Sequence, residues 1–167
     1  QTLQDSFVVF DLETTGFSVI HDGITEFGAV KIKNGEVIDR LQSFVNPGKK
    51  IGTRVSQLTN ITNEMVADAP TIKEFLPQIL EFFGDAILVA HNAKFDIGFL
   101  NESLKRLNQK PITNPVIDSL ALARAIMKPM KSYRLGNVCR VYRVNYDDDV
   151  AHRADYDAEV LGAVFTT

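Results

Sequence analysis

The chain has 167 residues, 45% of them hydrophobic and 23% charged, and a net charge of −3. That is long enough for a single domain with a real core and too ordinary in composition for disorder. The overall acidity argues against tight, sequence-independent duplex binding, which rests on many phosphate contacts.

No apolar run is long enough to span a membrane, and the first residues lack the basic–apolar–small pattern of a signal peptide. Cys139 is the single cysteine, so no internal disulfide can form and a cytoplasmic setting is expected. With Leu135, Val138 and Tyr142 it makes a helical core pattern, which suits a buried thiol. The charge is unevenly placed. Residues 1–93 carry 7 Lys and Arg against 12 Asp and Glu, residues 94–153 carry 11 against 6, and residues 154–167 carry 0 against 3. The basic excess (Arg124, Lys128, Lys131, Arg134, Arg140, Arg143, Arg153) reads either as solvated helix faces or as a phosphate-facing side beside an acidic site.

In chain order, Phe7 to Phe10 is a run of β-branched and aromatic residues suited to a strand buried on both faces. It leads into Asp11 and Glu13. Residues two apart on a strand share a face, so the two carboxylates should stand side by side. Like charges held that close call for a cation between them, and all-oxygen ligands favour Mg²⁺ or Mn²⁺. From these residues alone a solvated acidic turn is equally open. Thr14, Thr15 and Gly16 then turn the chain, and Gly16 lets a ligand approach the backbone.

Residues 24–33 read as a second strand and Val37 to Val45 as a third, with the hairpin signal Asn34-Gly35 between them. Glu26 shares a face with Ile24, Val30 and Ile32, which marks it as a candidate buried acid. Asn46-Pro47-Gly48 ends the third strand. Residues 49–70 read as irregular with short helical pieces, including Leu58 to Thr62. Thr71 and Glu74 form a capping box that opens a helix whose apolar stripe is Ile72, Phe75, Leu76, Ile79, Leu80 and Phe83. Pro77 should bend this helix or leave one carbonyl unpaired, and Gly84 closes it. Ile87 to Ala90 is a short strand.

His91 to Leu107 opens on H-N-A-K-F-D. Phe95, Phe99, Leu100, Leu104 and Leu107 mark a buried helix face, and Asp96 lies on it. A carboxylate there is costly without a partner. A helix that follows a core strand directly starts beside the strand ends, where Asp11 and Glu13 are expected. Pro115 to Ile117 reads as another strand, and Asp118 or Ser119 as the cap of a helix from Leu120 to Met127. Arg134 to Tyr142 reads as a further helix, and Asp147 to Asp149 as an exposed loop. In the last helix Asp157 is in phase with Val160, Leu161 and Val164 and should face inward, while Asp155 should face solvent. His152 stands just ahead of that helix.

An Asn-Gly hairpin early and helical connections later imply an α/β fold, a mixed sheet flanked by helices. Asp11, Glu13, Asp96 and Asp157 could then meet at one end of the sheet. Four carboxylates in a core need roughly two divalent ions to balance them, the clamp used for in-line attack at phosphate. His152 has the chemistry of a base for the attacking water.

The segments F-D-L-E-T-T-G, H-N-A-K-F-D-I-G-F-L and H-R-A-D-Y-D resemble the three motifs of the DEDD exonuclease family, in its histidine-containing DEDDh branch. That branch includes the epsilon proofreading subunit of bacterial DNA polymerase III. T-L-Q-D-S-F-V-V-F-D, I-L-V-A-H-N-A-K-F-D and N-P-V-I-D-S-L are most similar to the exonuclease domains of PolC-type DNA polymerase III. The resemblance spans nearly the whole chain.

The resemblance implies a ribonuclease H-like fold with a five-stranded mixed sheet and removal of nucleoside monophosphates from DNA 3′ ends during replication. It implies Asp11, Glu13, Asp96 and Asp157 as ligands of two ions, Mg²⁺ or Mn²⁺, and His152 as general base. Thr14, Thr15 and Gly16 match residues lining the terminal nucleotide, as do His91, Asn92 and Phe95. Leu58 and Ile61 match a wedge against the last base. Asn60 departs from the pattern, where relatives commonly have Gly, and Asn tolerates the left-handed geometry of such a turn. Residues 1–167 read as one exonuclease domain excised from a longer polymerase chain, with that chain's other domains and a frayed or single-stranded 3′ end as partners. RNA trimming or short-oligonucleotide digestion is the alternative within catalysis, and an inactive nucleic-acid-binding module the alternative outside it.

Overall fold

A computed structural model describes residues 6–126 of the chain. In order these form β1 (Ser6–Thr14), β2 (Ile24–Lys33), β3 (Glu36–Phe44), α1 (Thr53–Thr59), α2 (Asn63–Ala67), α3 (Ile72–Phe83), β4 (Ile87–Ala90), α4 (Ala93–Arg106), β5 (Val116–Asp118) and α5 (Ser119–Ile126). The sheet has five strands in the order β3-β2-β1-β4-β5. β1 pairs antiparallel with β2, and β2 with β3. β1 pairs parallel with β4, and β4 with β5. This is the mixed sheet flanked by helices that the sequence implies.

The β2–β3 turn works because Asn34 (φ 54°) and Gly35 (φ 79°) both adopt positive φ, as a tight hairpin requires. Alternation along β1 splits its side chains between two faces. Val8, Phe10 and Leu12 join the main core with α3 and α4. There Phe83 of α3 packs against Phe10, with ring centroids 5.1 Å apart. Val9 joins a second cluster with Val30, Ile32 and Val89, against which Phe7 and Ile117 pack. Asp11 and Glu13 continue the face of Phe7 and Val9.

α3 is capped as expected. The Thr71 hydroxyl accepts from the Glu74 amide, and Glu74 accepts from the Thr71 amide at 2.9 Å. The helix runs through Pro77, whose missing N–H leaves the Lys73 carbonyl without its intrahelical donor. Gly84 ends it at φ 47°. Residues 49–70 hold two short helices, α1 and α2, over a small core of Ile51, Ile61 and Val66. Asn60 caps α1 in the left-handed conformation, φ 60° and ψ 26°, with its N–H donating to the Ser56 carbonyl. Asn therefore serves where Gly is common.

Among the described residues no helix is long and apolar enough to cross a membrane. The expectations for Cys139, the helix over Arg134 to Tyr142, Asp147 to Asp149, the basic residues from Lys128 onward, His152, Asp155 and Asp157 lie outside the described residues.

Candidate active site

β1 does not end at Phe10. It stays paired through Thr14, so the two acids sit inside the ladder: Asp11 opposite Gly28 and Glu13 opposite Glu26. This rules out the solvated acidic turn. Both carboxylates are half-buried. Glu26 is fully buried and accepts a hydrogen bond from Gln42 Nε2 at 2.7 Å. Register partners share a face of the sheet, so three carboxylates line one face near the end of β1. The ladder then slips between Glu13 and Thr14, leaving Thr25 as an extra residue on β2. Such a bulge bends the strand and re-aims the side chains beside it.

Asp96 comes from the first turn of α4. Its residue is 3% exposed, and Oδ2 is buried without a hydrogen-bond partner among the described residues. Burial pushes its carboxyl well above the ordinary range, and the nearby charges of Asp11, Glu13 and Asp118 push it further. The structure thus brings Asp96 together with Asp11 and Glu13. A buried carboxyl within range of other carboxylate charges, with one oxygen unpartnered among the described residues, is what a hard cation would complete. Among the described residues no group of three His, Cys, Asp or Glu side chains closes round an ion by itself. The donor set fits a divalent cation in chemistry and leaves coordination to be filled.

Asp118 performs the capping role read from the sequence. Its Oδ1 accepts from the amides of Leu120 (2.9 Å) and Ala121 (3.4 Å). It also accepts from the Asn92 amide at 3.0 Å, which fastens the start of α4 to the end of β5. Asn92 caps α4 at φ 67° and is exposed. His91 Nδ1 lies 3.1 Å from Ser119 Oγ. Phe95 is half-buried, its ring 4.9 Å from that of Phe99 and 6.2 Å from that of Phe17.

The turn after β1 departs from expectation in two respects. Thr15 is buried, and its hydroxyl donates to Asp22 Oδ1 at 2.9 Å and accepts from the Gly23 amide at 3.1 Å. That side chain holds the turn together, so it is the backbone that can line a nucleotide there. The space beside Gly16 is also taken from within. A Cβ there would collide with the Asp22 carboxylate. Gly16 is needed for the carboxylate of Asp22, not to admit a ligand from that side. Thr14 Oγ1 donates to the Gly16 carbonyl at 2.6 Å.

The expected wedge also divides. Leu58 is 60% exposed on α1, but Ile61 has no exposed surface and belongs to the small core with Ile51 and Val66. A side chain with no accessible surface cannot meet a base, so of the two only Leu58 is presented.

The family model described as exonuclease, RNase_T, matches residues 8–165. The chain belongs to the exonuclease family. It is 45% identical over 159 residues to the PolC-type DNA polymerase III of Oceanobacillus iheyensis, covering 95% of this chain. It is 49% identical over 162 residues to that of Ureaplasma parvum serovar 3, covering 96%. The chain spans only 11% of the length of these relatives. Among solved structures it resembles exonuclease X in complex with 5′-overhanging duplex DNA, at TM-score 0.77 and 26% identity, over 96% of this chain and 89% of that one. E. coli exonuclease I in complex with a dT13 oligonucleotide shares the fold, at TM-score 0.86 and 20% identity, over 98% of this chain and 40% of that one.

Two residues of the segment after β1 escape a sequence reading. Phe17 follows the Thr-Thr-Gly turn and is 90% exposed with its ring edge-on to Phe95. It presents a flat apolar face of the kind on which unpaired bases stack. Asp22, next to Gly23, reads only as turn chemistry. An exposed aromatic beside an acidic motif was the available signal for the first. The second had none.

Proposed function

We propose that this chain is a 3′–5′ exonuclease that removes nucleoside monophosphates from DNA 3′ ends, the proofreading unit of a longer PolC-type polymerase acting in the cytoplasm during replication. The observation that carries the reading is Asp96, buried with an oxygen that has no partner among the described residues and near enough to Asp11 and Glu13 for their charges to raise its pKa. Family membership and the polymerase relatives support it.

Asp11, Glu13, Asp96 and Asp157 would hold two divalent ions, Mg²⁺ or Mn²⁺. Bound there, such ions lower the pKa of water and stabilise developing negative charge on phosphate oxygens. The remaining work falls to the chain. The Thr14–Gly16 backbone lines the terminal nucleotide. Phe17, Phe95 and exposed Leu58 offer apolar surface to its base, which favours ends that are already unstacked. His152 accepts a proton from the attacking water at an imidazole nitrogen, whose ordinary pKa of ~6.5 suits that task.

The test is digestion of end-labelled single-stranded DNA and RNA with Mg²⁺, with Mn²⁺ and with chelator. Stepwise loss of 3′ mononucleotides from DNA, abolished by chelator, is expected. Cuts in a circular single strand, or preference for RNA, would refute the reading.

A further inference from the structure

The loop from Thr15 to Gly23 joins β1 to β2 and begins with the turn that faces the site. Behind it lies a cavity of about 190 Å³, lined by Val19, Asp22, Ile72, Phe99 and Arg106 among others. Close packing therefore does not hold the loop along its whole length, and polar ties take over. One residue makes several of them. Asp22 Oδ1 accepts from Thr15 Oγ1 at 2.9 Å and from Lys49 Nζ at 3.2 Å. Asp22 Oδ2 accepts from the Ser18 amide at 3.0 Å. The Asp22 amide donates to the Ser18 carbonyl at 2.8 Å. The same carboxylate occupies the space that a side chain at position 16 would need.

The crown of the loop is held from α4. Arg106 Nη2 donates to the Ile20 carbonyl at 2.6 Å and the Val19 carbonyl at 3.4 Å, while its Nε pairs with Glu102 at 3.0 Å. The loop is thus tied to the helix that carries Asp96. Charge-assisted hydrogen bonds of this kind are the stronger ones, and a partly shielded carboxylate with several donors fixes backbone geometry.

We propose that Asp22 is a positioning residue: its carboxylate, seated beneath Gly16, holds the Thr14–Phe17 turn in the shape that receives the terminal nucleotide. It touches neither nucleotide nor reacting atoms and acts through Thr15, Gly16 and Ser18. This rests on the exonuclease reading above.

The experiment compares the unsubstituted chain with Asp22→Ala, Asp22→Asn, Gly16→Ala and the Gly16→Ala/Asp22→Ala pair. Kinetics and Kd are measured with a single-stranded DNA oligonucleotide, and amide hydrogen exchange is followed at Ser18. Asp22→Ala should raise KM and Kd about tenfold while kcat changes less than about threefold, the pattern of lost substrate binding. Ser18 exchange should quicken. Asp22→Asn should recover part of the affinity, because its oxygen still accepts from the Ser18 amide and its amide can donate to Thr15 Oγ1, although the tie to Lys49 Nζ is lost. Gly16→Ala should damage binding when Asp22 is present and add little when it is absent, a coupling that a general folding defect does not produce.

Additive effects in the pair, no recovery in Asp22→Asn, or unchanged KM and Kd despite faster exchange would each overturn the proposal. If the unsubstituted chain binds the oligonucleotide without cleaving it, the exonuclease reading fails and Kd still judges Asp22. If it does not bind at all, both fail.

Discussion

Glu13 on β1 stands directly opposite Glu26 on β2. Like charges at that spacing across a ladder destabilise a sheet. Glu26 is fully buried, where charges are screened less, and its carboxylate accepts a hydrogen bond from Gln42 Nε2. Glu13 has Asp11 two residues before it on the same face and Asp96 near by. Native-state repulsion of this kind is relieved by a cation that binds only the folded chain. Mg²⁺ at about 100 times its Kd should therefore raise Tm by roughly 5–10 °C for a chain of this length. Calorimetry with and without the ion checks it, and a Tm indifferent to Mg²⁺ and Mn²⁺ would contradict the acid cluster as a cation site.

Asp96 makes the metal-free protein sensitive to pH. Its folded-state pKa is raised by burial and by Asp11, Glu13 and Asp118. Above the unfolded value of 3.8 and below the raised one, the folded state holds the proton that the unfolded state has released. Stability contributed by this group therefore falls as pH rises through that window, and the loss is complete above the folded pKa. Asp96→Asn removes the ionisation, and its amide can donate to a neighbouring carboxylate. At neutral pH without metal the variant should be more stable by about 1 kcal/mol, or about 2–4 °C in Tm. It should also lose cleavage. A variant that is less stable than the parent in chelator would refute the account.

His152→Ala should lower turnover by ~10²–10⁴-fold, the usual cost of losing a positioned base, with metal affinity nearly unchanged. The acidic limb of the pH–rate profile should flatten. Asp157→Ala should abolish cleavage, whereas Asp155→Ala should matter little. Titration calorimetry and single-turnover rates against pH separate these outcomes. Lost metal binding in His152→Ala would show that the histidine serves as a ligand.

Leu58→Ala and Phe17→Ala alter exposed side chains, so neither should cost much stability. Each should weaken oligonucleotide binding, by up to roughly 1–3 kcal/mol where a ring stacks on a base. Ile61→Ala should do the reverse, costing ~2–5 kcal/mol of stability by opening a cavity, with a smaller effect on KM in the folded fraction. Denaturant titration alongside KM measures both, and a strong KM effect at Ile61 with normal stability would restore it to the base contact.

Local chemistry was legible where it followed a period or a cap. The Asn34-Gly35 hairpin, the Thr71–Glu74 box, Ile87 to Ala90 as a strand and Asp118 as a cap all follow from short-range rules. So did the inward Asp96, because helical phase places it with Phe99 and Leu100. Exposure within the irregular segment was not legible. Leu58 and Ile61 are three residues apart, and the left-handed cap at Asn60 sends one outward and the other into a core. The role of Gly16 could not be read either, since it depends on a carboxylate six residues further along that folds back beneath it.

The pairing of β1 has a consequence for the order in which the chain assembles. Its antiparallel partner β2 follows at once in sequence, so Asp11 and Glu13 acquire their places early, in contacts that close quickly. Its parallel partner β4 arrives only after α1, α2 and α3, when Phe7 meets Ile87. α4 and Asp96 come with that late step. The long-range closure of β4 on β1 is thus the step that brings Asp96 towards acids already in place. Its barrier carries an electrostatic component that the early meander lacks. Stopped-flow refolding should show the slower phase hastened by Mg²⁺ in the parent and less so in Asp96→Asn, while equal acceleration of both would disconnect the phase from the acids.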